Sequence, residues 1–150
     1  MDPATLAPWS TAWIWSLPLL VVTVVIHTFG LRMIDRRVTL VLDGKNRLLR
    51  MASWLIMPVV TLCAVILHGA EGAIWAAAYL LLGALPERKS AMLYSMNAMT
   101  SYGHVDLRLE PHWQLMGSLE SLNGWILFGL TTAFLFTVMQ KVWPRLNSPR

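Results

Sequence analysis

The chain has 150 residues, enough for one domain, and 56% of them are hydrophobic while only 13% are charged. This balance points to an integral membrane protein. The formal charge of +4 lies at the ends of apolar segments and forms no basic face, so nucleic acid is not an expected partner. The single cysteine, Cys63, rules out a disulfide within the chain and is expected to pack as a small hydrophobic residue.

The first apolar segment predicts a membrane span from about Trp13 to Met33. Because the N-terminus lacks the basic region of a signal peptide, we expect this span to be retained. Residues 35–50 predict a charged loop with a turn at Asp43-Gly44. Six of the twelve Lys and Arg lie between Arg32 and Arg50. The positive-inside rule therefore predicts an outer N-terminus and a cytoplasmic C-terminus in the inner (plasma) membrane.

The second apolar stretch, Met51 to Leu85, is too long for a straight span. As one helix it would measure roughly 50 Å, against a hydrocarbon core of about 30 Å. It must tilt, project or break, and His68 to Gly72 is the expected place for a bend because two glycines flank Glu71. Pro86 is expected to stop this helix.

The third part of the chain predicts one short helix and one long helix, joined by a polar loop. Ser90 to Met99 predicts a short helix capped by Ser90, too short to cross a membrane. A polar loop follows, and Leu115 to Trp143 predicts the last span, ended by Pro144. This order is typical of a re-entrant pore loop, because irregular backbone at membrane depth must be buried in protein or line water. We therefore predict an all-α membrane protein with three transmembrane helices, and with a re-entrant pore helix and filter loop between the second and third.

Several short elements between about His68 and Val138 share the order and spacing of a known pore module. They are His68-x-x-Glu71, Trp75-Ala76, Tyr79, Ala91-x-x-Tyr94-Ser95, Thr100 to Asp106, Trp113, Glu120 to Gly124 and Phe128 to Ala133. In these elements the chain resembles small bacterial channels of the two-transmembrane potassium-channel class. The resemblance implies a homotetramer in membrane lipid that passively conducts inorganic cations. It divides the chain into an N-terminal helix and basic loop, 1–50, and a pore module, 51–150.

The polar loop matches the family filter TTVGYGD with several changes. Its residues are Thr100, Ser101, Tyr102, Gly103, His104, Val105 and Asp106. Gly103 retains one of the positive-φ positions that such filters use, while Val105 replaces the second glycine. A β-branched residue is a genuine outlier at positive φ, so the outer carbonyl rings should be distorted. We therefore expect a nonselective or divalent-permeable pore, open to K⁺, Na⁺, Ca²⁺ or Mg²⁺, with Asp106 attracting cations.

The titratable residues around the loop allow two interpretations each. His104 either packs behind the filter or faces the pore, where with Asp106 it would respond to pH or bind a metal. Glu71 either braces the loop or relays protons or ions, and His68, three residues earlier, could pair with it. Asn97 is placed to donate to the loop from behind. We expect His68, Glu71 and Asn97 to support the filter.

Other features leave further alternatives open. Gly124 and Gly129 in the last span would either hinge an inner gate or permit close helix packing. His27 in the first span is expected to be a hydrogen-bonded packing residue. The sequence shows no paired catalytic carboxylates, zinc-type Cys/His spacing or phosphate-binding glycine loop, so we expect neither an enzyme nor a resident cofactor. The alternatives to a channel are a non-conducting pore-fold protein used for sensing, assembly or metal binding, and a membrane subunit of a larger enzyme.

Overall fold

The computed structural model describes residues 3–44, 53–103 and 107–146, and the regular structure in these ranges is helical throughout. There are four α-helices in this part of the chain. They are α1 (Pro3–Asp43), α2 (Ile56–Leu81), α3 (Arg88–Met99) and α4 (Gln114–Leu146). Single 3₁₀ turns precede α2 and α4, at Ser53–Leu55 and Pro111–Trp113.

Three of these helical segments are long and apolar enough to cross a membrane, which agrees in number with the three predicted spans. The segments are Ser10–Asp43, Ile56–Leu81 and Pro111–Pro144. Large apolar side chains point away from the bundle on each of them, for example Phe29, Ile66 and Trp125, each more than 60% exposed. Lipid is a favourable environment for such faces, so the structure fits a multi-pass membrane protein.

The bundle has an apolar cluster at each end and polar side chains between them. One cluster joins Ala12 of α1, Tyr79 of α2 and Met116 of α4. The other joins the opposite ends of the same helices through Val38, Val60 and Val138, among others. The three long helices therefore alternate in direction. Within the described residues, α3 contributes buried side chains to the first cluster alone, through Ala91, Tyr94 and Ala98.

The first helix extends farther than the sequence predicts. Residues 35–43 were expected to begin a charged loop, but α1 continues to Asp43, and Gly44 N–H then donates to the Leu40 carbonyl at 3.0 Å. Val38 and Leu42 pack in the second apolar cluster. Lys141 Nζ of α4 donates to Asp35 Oδ1 at 2.5 Å. Packing against α4 therefore keeps this charged segment helical. Residues 45–52 lie outside the described ranges.

The second helix runs through the expected bend and ends before the expected stop. It is continuous across His68 to Gly72 and finishes at Leu81. Gly83 has φ +68°, and its N–H donates to the Leu80 carbonyl at 3.1 Å, while Ala84 N–H donates to the Tyr79 carbonyl at 2.9 Å. This is a Schellman cap, so Gly83 and not Pro86 ends the helix. At 26 residues, the helix is about 39 Å long and needs no break to fit a membrane.

The boundaries of α3 and α4 also differ from the prediction. Helix α3 begins at Arg88, with Glu87 as its N-cap residue. Ser90, the predicted cap, therefore lies inside the first turn, where its hydroxyl donates to Glu87 Oε2 at 3.1 Å. Helix α4 continues past Pro144 to Leu146. Pro144 has no N–H to donate and its ring crowds the carbonyl four residues earlier, so it weakens this last turn, but the helix continues for two more residues.

Candidate functional site

The polar loop begins where α3 ends, and its first four residues are exposed. Ser101 has φ +54°; its N–H donates to the Ala98 carbonyl at 2.9 Å, while Tyr102 N–H donates to the Asn97 carbonyl at 3.0 Å. These bonds form a second Schellman cap, with serine at the position that glycine usually occupies. Gly103 follows with φ +92°, in the positive-φ region expected for it. His104, Val105 and Asp106 lie outside the described residues, so their predicted roles stay predictions.

Helix α4 holds the end of α3 and the start of this loop. Trp125 Nε1 donates to Ser101 Oγ at 2.9 Å, and Ser121 Oγ donates to the Ala98 carbonyl at 2.7 Å. A Cβ atom at Gly124 would lie 2.8 Å from both Cα and C of Met99, which is closer than real Cβ atoms come. Gly124 therefore permits backbone contact between α4 and α3. Gly129 has open space at the corresponding position.

A buried carboxyl group connects α2, α3 and α4 at this level. Glu120 is fully buried; Tyr79 Oη donates to its Oε2 at 2.6 Å, and Ser95 Oγ donates to its Oε1 at 2.5 Å. The Ser95 oxygen also lies 2.7 Å from the Gly72 carbonyl oxygen. The pKa of Tyr94 in α3 is raised to about 12, mainly because the side chain is buried and to a smaller extent because the Glu120 carboxyl group is nearby. Glu120 is thus the carboxyl group that contacts α3.

Glu120 was assigned no role from the sequence, although an acidic residue inside an apolar span indicates a functional position. That signal was applied to Glu71, which was expected to support the loop together with His68 and Asn97. The Asn97 side chain is half-buried at the end of α3, and the backbone carbonyl of Asn97 accepts from Tyr102 N–H. The contacts of His68 and Glu71 lie elsewhere, with α1 and α4.

A second buried carboxyl group lies in a polar cluster near the middle of the bundle. His27 Nδ1 is 2.9 Å from Glu71 Oε1, and His68 Nδ1 is 3.5 Å from Glu71 Oε2. The Thr131 hydroxyl of α4 lies 3.0 Å from His27 Nε2 and 3.1 Å from His68 Nε2. The His68 ring stacks on Phe128, with ring centroids 4.4 Å apart. His27 is buried and hydrogen-bonded, as expected, and it is also a central member of this cluster.

A further polar contact lies beside this cluster, between α1 and α4. Asn123 Nδ2 donates to Thr23 Oγ1 at 2.9 Å, and both side chains are fully buried. Thr23 Oγ1 in turn lies 2.9 Å from the Leu19 carbonyl oxygen, one turn earlier in α1. Buried hydrogen bonds of this kind fix the relative rotation of two helices in an apolar environment.

Two chemical groupings therefore emerge from the structure. One is the polar loop after α3, held by α4 and by Glu120. The other is the cluster of His27, His68, Glu71 and Thr131. Comparison with known proteins identifies no family: no protein-family model, no curated protein and no solved structure matches this chain.

Proposed function

We propose that this protein is a passive cation channel whose pore is formed by four copies of the chain around a common axis. Helix α3 acts as a re-entrant pore helix, α2 as the outer helix and α4 as the inner helix. Thr100 to Asp106 line the narrow part of the pore. The observation that carries this proposal is a polar loop that starts near the middle depth of an apolar bundle.

The depth of the loop is supported by the contacts of α3. Met99, the last residue of α3, lies against Gly124, and Ser95 contacts the Gly72 carbonyl. Gly72 is nine residues from the end of α2, which corresponds to about 13 Å along the helix axis. Half the thickness of a hydrocarbon core is about 15 Å. With the end of α2 at the boundary of the hydrocarbon core, the end of α3 would lie close to the membrane midplane.

The exposure of the loop supports an assembly with water inside it. Thr100, Ser101 and Gly103 are exposed, and Tyr102 is 83% exposed. Several amides and hydroxyls of the loop bond within the chain, but each polar group that has no partner there would cost several kcal/mol at this depth if it faced lipid. Other copies of the chain, or water in a pore that they enclose, would satisfy them. One loop cannot enclose a pore, so conduction requires an oligomer, and the family resemblance favours four subunits.

The chemistry of the loop favours cations with little discrimination between them. Four Asp106 carboxylates would place negative charge at the outer mouth and concentrate monovalent and divalent cations there. Val105 stands where a regular potassium filter needs positive φ, so fewer carbonyl rings would be available to replace the hydration shell of K⁺. The charge distribution favours an outer N-terminus and a cytoplasmic C-terminus.

A non-conducting pore-fold protein, used for sensing, assembly or metal binding, is the second candidate, and one observation favours it. Ser101 aligns with the second threonine of the family filter, yet it takes part in the Schellman cap of α3. A residue used to end a helix does not offer its carbonyl to the pore axis as an extended filter strand does. The loop would then be shorter than a potassium filter and could be closed.

Ion flux into liposomes distinguishes the two candidates. Purified protein is reconstituted, and the flux of K⁺, Na⁺, Ca²⁺ and Mg²⁺ is measured down imposed gradients, alongside the subunit count in detergent. We expect a tetramer that passes K⁺ and Na⁺ at similar rates and also passes a divalent cation. Asp106→Asn should lower the divalent flux, because it removes the carboxylate ring. Glu87→Gln, which neutralises an exposed acid at the start of α3, is the matched control and should leave the flux unchanged.

Three results would contradict parts of this proposal. A folded tetramer that passes none of the four cations would favour the non-conducting protein. Strong selectivity for K⁺ over Na⁺ would show that Val105 does not disturb the filter. Equal effects of Asp106→Asn and Glu87→Gln would show that Asp106 acts only through general surface charge.

A further inference from the structure

Three buried side chains that can bind metal ions meet near the middle of the bundle. His27 comes from α1, and His68 and Glu71 come from α2. One ligand atom from each lies within 4.8 Å of the other two, and all three residues are buried. In the spans defined above, His27 and His68 lie close to the midpoints of their segments. Ionisable groups at this depth are costly and usually have a function.

Thr131 orients the two imidazole rings. Its hydroxyl oxygen is 3.0 Å from His27 Nε2 and 3.1 Å from His68 Nε2. A hydroxyl oxygen has two lone pairs, so it can accept one hydrogen bond from each ring. A neutral imidazole that carries its proton on Nε2 has a lone pair on Nδ1. When both rings direct their protons at Thr131, both Nδ1 lone pairs face the Glu71 carboxylate. In the other tautomer of His27, its Nδ1–H donates to Glu71 Oε1 instead.

In the state with both protons on Nε2, the two neutral rings and the carboxylate surround a position that a cation would fill. His68 Nδ1 and Glu71 Oε2 are 3.5 Å apart, and neither has a hydrogen-bond partner among the described residues. His27 Nδ1 is 2.9 Å from the other carboxylate oxygen, Glu71 Oε1. Lone pairs that face each other in a buried site repel, and a positive ion between them removes the repulsion.

We propose that His27 Nδ1, His68 Nδ1 and the Glu71 carboxylate form a binding site for a divalent first-row transition metal such as Zn²⁺. Two imidazole nitrogens and one carboxylate are a known ligand set for zinc with an open fourth position, and imidazole favours Zn²⁺, Fe²⁺ or Ni²⁺ over Ca²⁺ or Mg²⁺. Bonds of about 2.0–2.1 Å place tetrahedral ligand atoms roughly 3.3 Å apart, so small ring movements would complete the site. Thr131 would be the outer partner that fixes both tautomers.

The site does not depend on the proposed pore, and a protein that conducts nothing could still bind the metal. A bound ion would connect α1 to α2 directly, and to α4 through Thr131. Because the ligand atoms come together only in the folded bundle, metal binding should raise the melting temperature.

Titration with Co²⁺ tests the site, because tetrahedral Co²⁺ absorbs visible light much more strongly than the hydrated ion. The full chain in detergent is freed of metal with a chelator and then titrated with Co²⁺ while absorbance and melting temperature are followed. We expect one tetrahedral Co²⁺ per chain, displaced by Zn²⁺, and a higher melting temperature. Glu71→Gln should abolish the absorbance. Thr131→Val should weaken binding about 10–100-fold, and Thr131→Ser should restore it.

His112→Asn is the matched control, because His112 is an exposed histidine whose Nδ1 lies 3.4 Å from Glu110 Oε2. It should bind Co²⁺ as the unmodified chain does. The proposal is overturned if the folded chain shows no tetrahedral Co²⁺, or if His112→Asn abolishes the absorbance while Glu71→Gln retains it. If Glu71→Gln does not fold, the pair at position 131 decides, and equal affinity of the valine and serine variants would overturn the proposal.

Discussion

Replacing Gly124 with alanine tests whether this glycine permits close packing or hinges a gate. The added Cβ would lie 2.8 Å from Cα and C of Met99, whereas carbon atoms in contact are normally about 3.5–4.0 Å apart. Because the obstacle is backbone, no side-chain rotation can relieve it, and the end of α3 must move. Such overpacking costs up to about 3 kcal/mol, while alanine recovers about 1 kcal/mol of helix propensity. We expect Gly124→Ala to lower the free energy of unfolding by about 2 kcal/mol.

Gly129→Ala is the matched control in the same helix. A Cβ there meets open space, so the helix propensity of alanine should raise stability by up to about 1 kcal/mol. Reversible unfolding in mixed detergent, followed by tryptophan fluorescence, measures the difference of about 3 kcal/mol between the variants. In liposomes, the displaced loop should also change ion flux in Gly124→Ala. If the two variants are equally stable, the close contact with Met99 does not exist and the hinge interpretation regains weight.

Three further predictions concern single contacts. Glu120→Ala should lower the free energy of unfolding by about 2–5 kcal/mol, because it leaves a cavity and removes the acceptor of the buried Tyr79 hydroxyl, while Ser95 keeps the Gly72 carbonyl as its acceptor. The exposed-site control Glu87→Gln keeps an oxygen acceptor for Ser90, so its unfolding should be unchanged. Gly83→Ala should lower the free energy of unfolding by about 1–2 kcal/mol, since alanine is strained at φ +68°. An unchanged midpoint of unfolding would refute the Schellman cap. Lys141→Ala should lower the free energy of unfolding by less than about 1 kcal/mol, because the ion pair between Lys141 and Asp35 is partly exposed. This loss of stability should become smaller in high salt, and a loss that does not depend on salt would contradict the prediction.

Much of the secondary structure follows from local properties of the chain. The number of spans was predictable because the length of an apolar run compared with membrane thickness decides it, and three such helices are present. The ends of the helices were less predictable. Gly83 and Pro86 both signal an end to α2, and only the hydrogen bonds to Leu80 and Tyr79 show that Gly83 acts first. Residues 35–43 were predicted as loop, because sequence does not reveal that Val38 packs against α4.

The partners of the buried polar groups depended entirely on the tertiary structure. Sequence spacing pairs Glu71 with His68, one helical turn away, but His27 is 44 residues distant and reaches the same carboxylate. Tyr79 and Glu120 are 41 residues apart and share a hydrogen bond. Apolar patterning determines that a helix spans the membrane, whereas the rotation of each helix about its axis is set by packing against its neighbours. That rotation decides which polar side chains meet, and therefore where chemistry is possible.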